Sequence, residues 1–189
     1  MIELFLPPVA EVARALAASG FAHFPSCLAA PVARALGHTT RPLPEERVVC
    51  GVPGASWLEQ GVPLTHALAA LLVRGDLLGY FATALGVGAW SETPEFWTSR
   101  FGVGEYIDEH CDARGSVQFL ICLEAPPGAC GGAVSFGVHS ALGRVQLSPG
   151  DGLLFRASRI VHATEPLRAS ETAPQPELLV AVGRYFTNA

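Results

Sequence analysis

The second half of the chain is written in short β-rich segments, and that rhythm restricts the fold more than any other feature. Between residues 95 and 186, segments 95–102, 105–112, 116–125, 131–138, 143–148, 153–157, 160–164 and 177–186 are rich in β-branched, aromatic and other apolar residues. Turn chemistry separates them, at Gly102-Val103-Gly104, Pro126-Pro127-Gly128 and Pro149-Gly150-Asp151-Gly152. Segment 116–125, SVQFLICLEA, is a nearly continuous apolar run, as expected of a strand covered on both faces. Strands this short at this spacing imply a sandwich or barrel.

The first half reads differently. Residues 9–18 carry apolar side chains at helical spacing and stop at Ser19-Gly20. A short strand over 21–25 follows. A second helix is expected over 27–36, with Ser26 as its cap and Pro31 able to delay its start. Residues 37–63, rich in Gly, Pro and charge, read as loop, and 64–86 as buried helix broken near Gly75. The expectation is a single domain spanning 1–189, mostly β, in which 1–94 form a helical support and 95–189 the β core.

Composition excludes several classes of function. Half of the 189 residues are hydrophobic and 15% are charged, so the chain can bury a sizeable core. The net charge of −5 leaves no basic stripe for nucleic acid. No apolar run reaches the roughly 18 residues of a membrane span, and no secretory leader is evident. These features point to the cytoplasm, and the five cysteines, with no CxxC pair, read as free thiols rather than a zinc site. The oligomeric state is left open.

The chemistry concentrates at His110-Cys111-Asp112 and at His162, fifty residues past the aspartate. Residues two apart in a strand share a face, so His110 and Asp112 can reach one ion while Cys111 points away. Two imidazoles and a carboxylate form the ligand set of non-heme iron oxygenases, which leaves coordination positions open. Each residue alone reads equally well as a surface carboxylate or a hydrogen-bonded core histidine. Of the other histidines (23, 38, 66 and 139), only His139, just past segment 131–138, serves as a reserve ligand.

The surroundings of these residues carry a resemblance. Arg100-Phe101-Gly102-Val103-Gly104-Glu105-Tyr106-Ile107-Asp108-Glu109-His110-Cys111-Asp112, then Gly131-Gly132, then Leu147-Ser148-Pro149-Gly150-Asp151-Gly152-Leu153-Leu154-Phe155 and His162 resemble, in order and spacing, the 2-oxoglutarate/iron(II)-dependent dioxygenases, especially their prolyl-hydroxylase-like branch. The match spans roughly residues 96–186. It implies a double-stranded β-helix (a jelly-roll, cupin-like barrel), with iron(II), 2-oxoglutarate and dioxygen, and with His110, Asp112 and His162 as metal ligands. Related halogenases carry a small residue in place of the carboxylate, so Asp112 argues for hydroxylation or another oxidation.

The co-substrate pocket departs from that pattern. The family usually pairs the distal carboxylate of 2-oxoglutarate with an arginine at the start of the last strand, where this chain has Glu177-Leu178. Two arginines lie nearby. Arg184 shares side-chain parity with residues 178, 180 and 182, and resembles a second arginine found late in the final strand of some nucleic-acid-repair members. Arg168 lies in the loop after His162. Arg184 is the expected anchor. Gln118, Tyr106, Arg156 and Arg159 are further polar candidates, while two tyrosines used by relatives are Phe101 and Cys122 here. Trp57, Trp90 and Trp97 suit either a substrate mouth or the core.

The expected function is hydroxylation of an unactivated C–H bond in a small molecule, such as an amino acid or natural-product intermediate. The alternatives are a cupin-like metalloenzyme that does not use 2-oxoglutarate, or a non-catalytic ligand-binding barrel.

Overall fold

The computed structural model describes residues 2–50, 52, 55–91, 93–126 and 130–187, so Pro127 and Gly128 of the expected turn lie outside the described residues. In chain order the elements are α1 (Val9–Ser19), β1 (Phe21–Phe24), α2 (Ala30–Thr40), β2 (Glu46–Val49), β3 (Ser56–Gly61), α3 (Ala67–Leu72), α4 (Gly75–Leu85), β4 (Glu95–Phe101), β5 (Ile107–His110), β6 (Ser116–Glu124), β7 (Val134–Phe136), β8 (Gly143–Val145), β9 (Gly152–Phe155), β10 (His162–Thr164) and β11 (Leu178–Phe186). They build two antiparallel sheets. The larger runs β1-β9-β6-β11-β4-β3-β2, the smaller β5-β10-β7-β8. The result is a barrel, one of the two forms the strand rhythm implied, with the jelly-roll arrangement implied by the resemblance, and the helices pack on the outer face of the larger sheet.

Alternation along the central strands separates two cores. Val117, Phe119, Ile121 and Leu123 of β6, with Leu179, Ala181 and Tyr185 of β11, join Phe24, Leu68, Leu72, Leu77 and Phe81 beneath the helices. Leu120 and Cys122 of β6 and Leu178, Val180 and Val182 of β11 point the other way, into the barrel, with Phe101, Phe136 and Phe155. Each such aliphatic or aromatic side chain, fully buried, contributes about 1.5–3 kcal/mol. Residues 116–123 of β6 are all buried, which accounts for the apolar run.

Two local expectations change and a third holds. Residues 37–63 contain β2 and β3, which extend the larger sheet beyond β4. Pro42 and Pro44 lie ahead of β2, and β3 turns Trp57 and Glu59 toward the barrel, a mixed pattern that conceals its period. Helix α2 begins at Ala30, with Pro31 in its first turn, and Ser26 does not cap it: its backbone N–H donates to Asp151 Oδ1 at 2.8 Å. The helical stretch 64–86 breaks just before Gly75, and His66 caps the first piece by accepting from Leu68 N–H at 3.2 Å.

The Pro149-Gly150-Asp151-Gly152 turn ties the two halves together. Asp151 accepts from Ser26 N–H and, at 2.9 Å, from Ser148 N–H, and His23 Nε2 lies 3.3 Å from it. Gly150 has φ of 95°, and a Cβ there would stand 2.0 Å from the Leu28 carbonyl oxygen, so only glycine fits. Among the described residues no helix is long and apolar enough to cross a membrane.

Candidate metal centre

Strands β5 and β10 are neighbours in the smaller sheet, with His110 directly opposite His162. This register sets the two imidazoles 4.3 Å apart, centroid to centroid. Asp112 lies just past β5, where its backbone N–H donates to the Ala157 carbonyl at 2.9 Å. One ligand atom from each of His110, Asp112 and His162 lies within 4.8 Å of the others, and His110 Nε2 is 3.5 Å from Asp112 Oδ1.

Outer contacts orient all three. His110 Nδ1 lies 2.8 Å from the Asp108 carbonyl and His162 Nδ1 lies 3.0 Å from the Ile160 carbonyl. With Nδ1–H donating to those oxygens, Nε2 of each ring is the free ligand atom. Asp112 Oδ2 accepts from Gln118 Nε2 and lies 3.3 Å from Arg184 Nη2, so Oδ1 is the oxygen left toward the histidines. Such backing bonds hold a ligand set in place before the ion arrives.

The charges suit metal binding. Burial pushes the Asp112 carboxyl up, but the hydrogen bond with His110 and the charges of Arg184 and both histidines together hold it below the usual carboxylate range. Burial, helped by the neighbouring His110, lowers His162 to about 4, so its imidazole is neutral at pH 7. His110 is raised, first by its hydrogen bond with Asp112. A divalent cation takes up that bond's role and favours the neutral ring.

The triad opens into a cavity of about 190 Å³ between the sheets. His110, Asp112, Gln118, Arg184 and Glu95 line its metal end. Trp57, Glu59, Trp97, Ser99, Phe101, Leu120, Val180 and Thr164 form more of its wall. Arg184 is paired across the larger sheet with Glu95 on one side and Gln118 on the other. Its guanidinium reaches Glu95 Oε2 at 3.1 Å and lies 4.7 Å from the centre of the Trp97 ring, while its buried Nε–H has no acceptor among the described residues.

The candidate co-substrate residues divide. Gln118 and Arg184 stand against Asp112, which places Arg184 at the metal end rather than at the far end of the cavity. Tyr106 is half-buried and Arg168 exposed, and neither lines the cavity. The reason for Arg168 is alternation: Leu167 bridges Val103 and Gly131 and is buried, which turns its neighbour outward. Arg156 donates to the Leu85 carbonyl beneath the helices, and the reserve ligand His139 is exposed beside Glu109. Trp90 packs on Tyr185 in the outer core, whereas Trp57 and Trp97 line the cavity. Reading the sequence missed Glu59 and Glu95. The signal for Glu95 was its inward parity with Trp97 and Phe101 in the expected strand 95–102, whereas that for Glu59 was legible only once β3 was recognised as a strand.

No family model matches this sequence, and no curated protein does. Solved structures do. A 2OG-Fe(II) oxygenase family oxidoreductase from Burkholderia pseudomallei superposes with a TM-score of 0.74 at 17% identity, covering 98% of this chain and 96% of its own. A prolyl-4-hydroxylase from Pseudomonas putida follows at 0.70 and 20% identity, covering 96% and 100%. This chain has the double-stranded β-helix fold of the 2OG-Fe(II) oxygenases. The same oxygenase fold is shared with the non-heme alpha ketoglutarate dependent epimerase SnoN of nogalamycin biosynthesis, at a TM-score of 0.69 and 14% identity over 95% of this chain and 83% of that one.

Proposed function

We propose that this chain is an iron(II)- and 2-oxoglutarate-dependent oxygenase that hydroxylates a C–H bond of a small molecule, such as an amino acid or natural-product intermediate, in the cytoplasm. The observation that carries the reading is the triad at the metal end of the cavity: two imidazoles with free Nε2 atoms and one carboxylate with a free oxygen, all within 4.8 Å. This donor set fits iron(II) and leaves positions for a co-substrate and dioxygen. Iron(II) held there supplies the dioxygen activation that an unactivated C–H bond requires.

The chain's own residues do the remaining work. Gln118 and Arg184 fix Asp112 so that one oxygen faces the histidines. Arg184 is the one cationic side chain lining the cavity among the described residues besides the histidines, and its orphaned Nε–H marks it as able to take a carboxylate acceptor. It would pair with the carboxylate of 2-oxoglutarate next to the metal. Apolar Phe155, whose ring lies 4.8 Å from that of His162, and the paired Leu120 and Val182 keep water from the reacting end. The cavity's small volume suits a small molecule rather than a polypeptide chain.

One observation favours a second reading. The usual anchor position for the distal carboxylate holds Glu177, which pairs outside the barrel with Arg41 and Arg100, and Leu178, which is buried. A metalloenzyme of the same shape that does not use 2-oxoglutarate would lack that anchor. Turnover separates the two. Protein supplied with iron(II), 2-oxoglutarate and dioxygen is expected to form succinate without added substrate, slowly and in proportion to iron loading. Full iron loading with no succinate above the protein-free control would favour the second reading.

A further inference from the structure

Glu59 has no counterpart charge. It lines the cavity half-buried, and among the described residues it makes no ion pair; its one hydrogen bond comes from Trp57 Nε1 at 3.0 Å. Every other charged group of the cavity is matched. Arg184 is shared between Glu95 and Asp112, and Asp112 with the two histidines forms the metal set. Burial pushes the Glu59 carboxyl up, and neither the Trp57 hydrogen bond nor the more distant Arg184 charge offsets that. Filling the metal site with iron(II) and a dianionic co-substrate adds no net positive charge to the cavity. A carboxylate therefore remains on the wall, in the ladder row between those of Trp57 and Trp97, with no ion-pair partner among the described residues. An unpaired, partly buried carboxylate is a cation's environment, and the attraction comes from Glu59, because Trp57 turns its N–H edge to that carboxylate and Trp97 already carries the Arg184 guanidinium over its ring.

We propose that the small molecule this cavity takes as substrate carries a cationic ammonium or guanidinium group, which Glu59 binds against the walls formed by Trp57 and Trp97. The position on the sheet supports this. Glu59 pairs across β3 and β4 with Ser99, and Ser99 with Val180, so the carboxylate sits two ladder rows, four residues along the strand, from the row of Glu95, Arg184 and Gln118 at the metal. At roughly 3.3 Å per residue, this leaves room for a short aliphatic chain between the cationic group and the carbon presented to the metal. The inference rests on the oxygenase reading only for the word substrate; the cation site itself does not require turnover.

The test uses anaerobic iron(II)-loaded protein titrated with n-butylammonium, 1-butanol and butyrate, read by the fluorescence of the wall tryptophans. Butylammonium is expected to bind at least about tenfold more tightly than the isosteric alcohol, and butyrate more weakly than either, in keeping with the strength of a partly desolvated ion pair. In Glu59→Gln the preference for the cation should shrink to within about twofold while iron content holds. Because the ionised carboxylate is disfavoured by burial, its folded pKa lies above its unfolded one, and at pH 7 the charge opposes folding. The neutral glutamine should therefore leave Tm unchanged or raise it, which a purely structural carboxylate would not. Equal binding of butanol and butylammonium by the wild-type protein would overturn the proposal whatever the variant does, as would a cation preference that survives Glu59→Gln. Loss of the oxygenase reading shows itself separately, as absent succinate formation alongside an intact cation preference.

Discussion

Replacing His110 or Asp112 by alanine is expected to lower iron(II) affinity at least about hundredfold, or ~2.7 kcal/mol, and to remove all metal-dependent turnover. The register of β5 against β10 leaves no substitute ligand among the described residues, since His139 faces solvent beside Glu109 and Cys111 is exposed. The loss should not come from unfolding. His110 and Asp112 sit at the cavity rather than in either apolar core, and the triad is held by Asp108, Ile160, Gln118 and Arg184 without an ion. Thermal denaturation of the iron-free variants should lie close to that of the iron-free parent. Asp112→Asn refines the test: it keeps the shape but not the charge, and so should lose most of the metal affinity. Iron measured at one equivalent in both alanine variants would show that the ion is held elsewhere.

Replacing Arg184 by alanine is expected to weaken 2-oxoglutarate by about tenfold to a hundredfold, the range for losing a charge-assisted hydrogen bond of 1.5–3 kcal/mol. Iron(II) affinity should not fall with it, because a guanidinium 3.3 Å from the ligand Asp112 repels the incoming cation and Gln118 still holds the carboxylate. Arg184→Lys should recover part of the co-substrate affinity, since charge is kept but the planar fork over Trp97 is lost. Equilibrium titration of each variant, followed separately for iron and co-substrate, makes the distinction. Equal losses for both would mean that Arg184 serves only to shape Asp112.

Much of this was legible because a few residues carried two independent signals. Asp112 and His110 share parity with each other, and the β6 run and the turn at residues 149–152 fixed the strands around them. The same turn shows why a motif can be structural: Asp151 binds Ser26 and Ser148 backbone, and Gly150 fits under Leu28. Arg184 was legible in direction and not in depth. Its inward parity follows from Leu178, Val180 and Val182, but six residues of strand, roughly 20 Å, separate it from Leu178, and only the pairing with Glu95 and Gln118 shows which end of the cavity it reaches. Strands β2 and β3 were hidden because their cross-strand partners, not their composition, make them strands: Glu46 opposes Glu59, an unfavourable pair by itself, while β3 gains the neighbouring β4 ladder. Glu59 and the cavity wall that it shares with Trp57 were lost with them.

Co-substrate chelation is read from an anaerobic spectrum of the protein, recorded after one equivalent of iron(II) and again after 2-oxoglutarate. A new visible metal-to-ligand charge-transfer band that saturates with the co-substrate is expected, because a 2-oxo acid chelating iron beside Arg184 would produce one. Iron bound at one equivalent with no band at saturating 2-oxoglutarate would contradict it and leave a metalloenzyme of another kind in the same barrel.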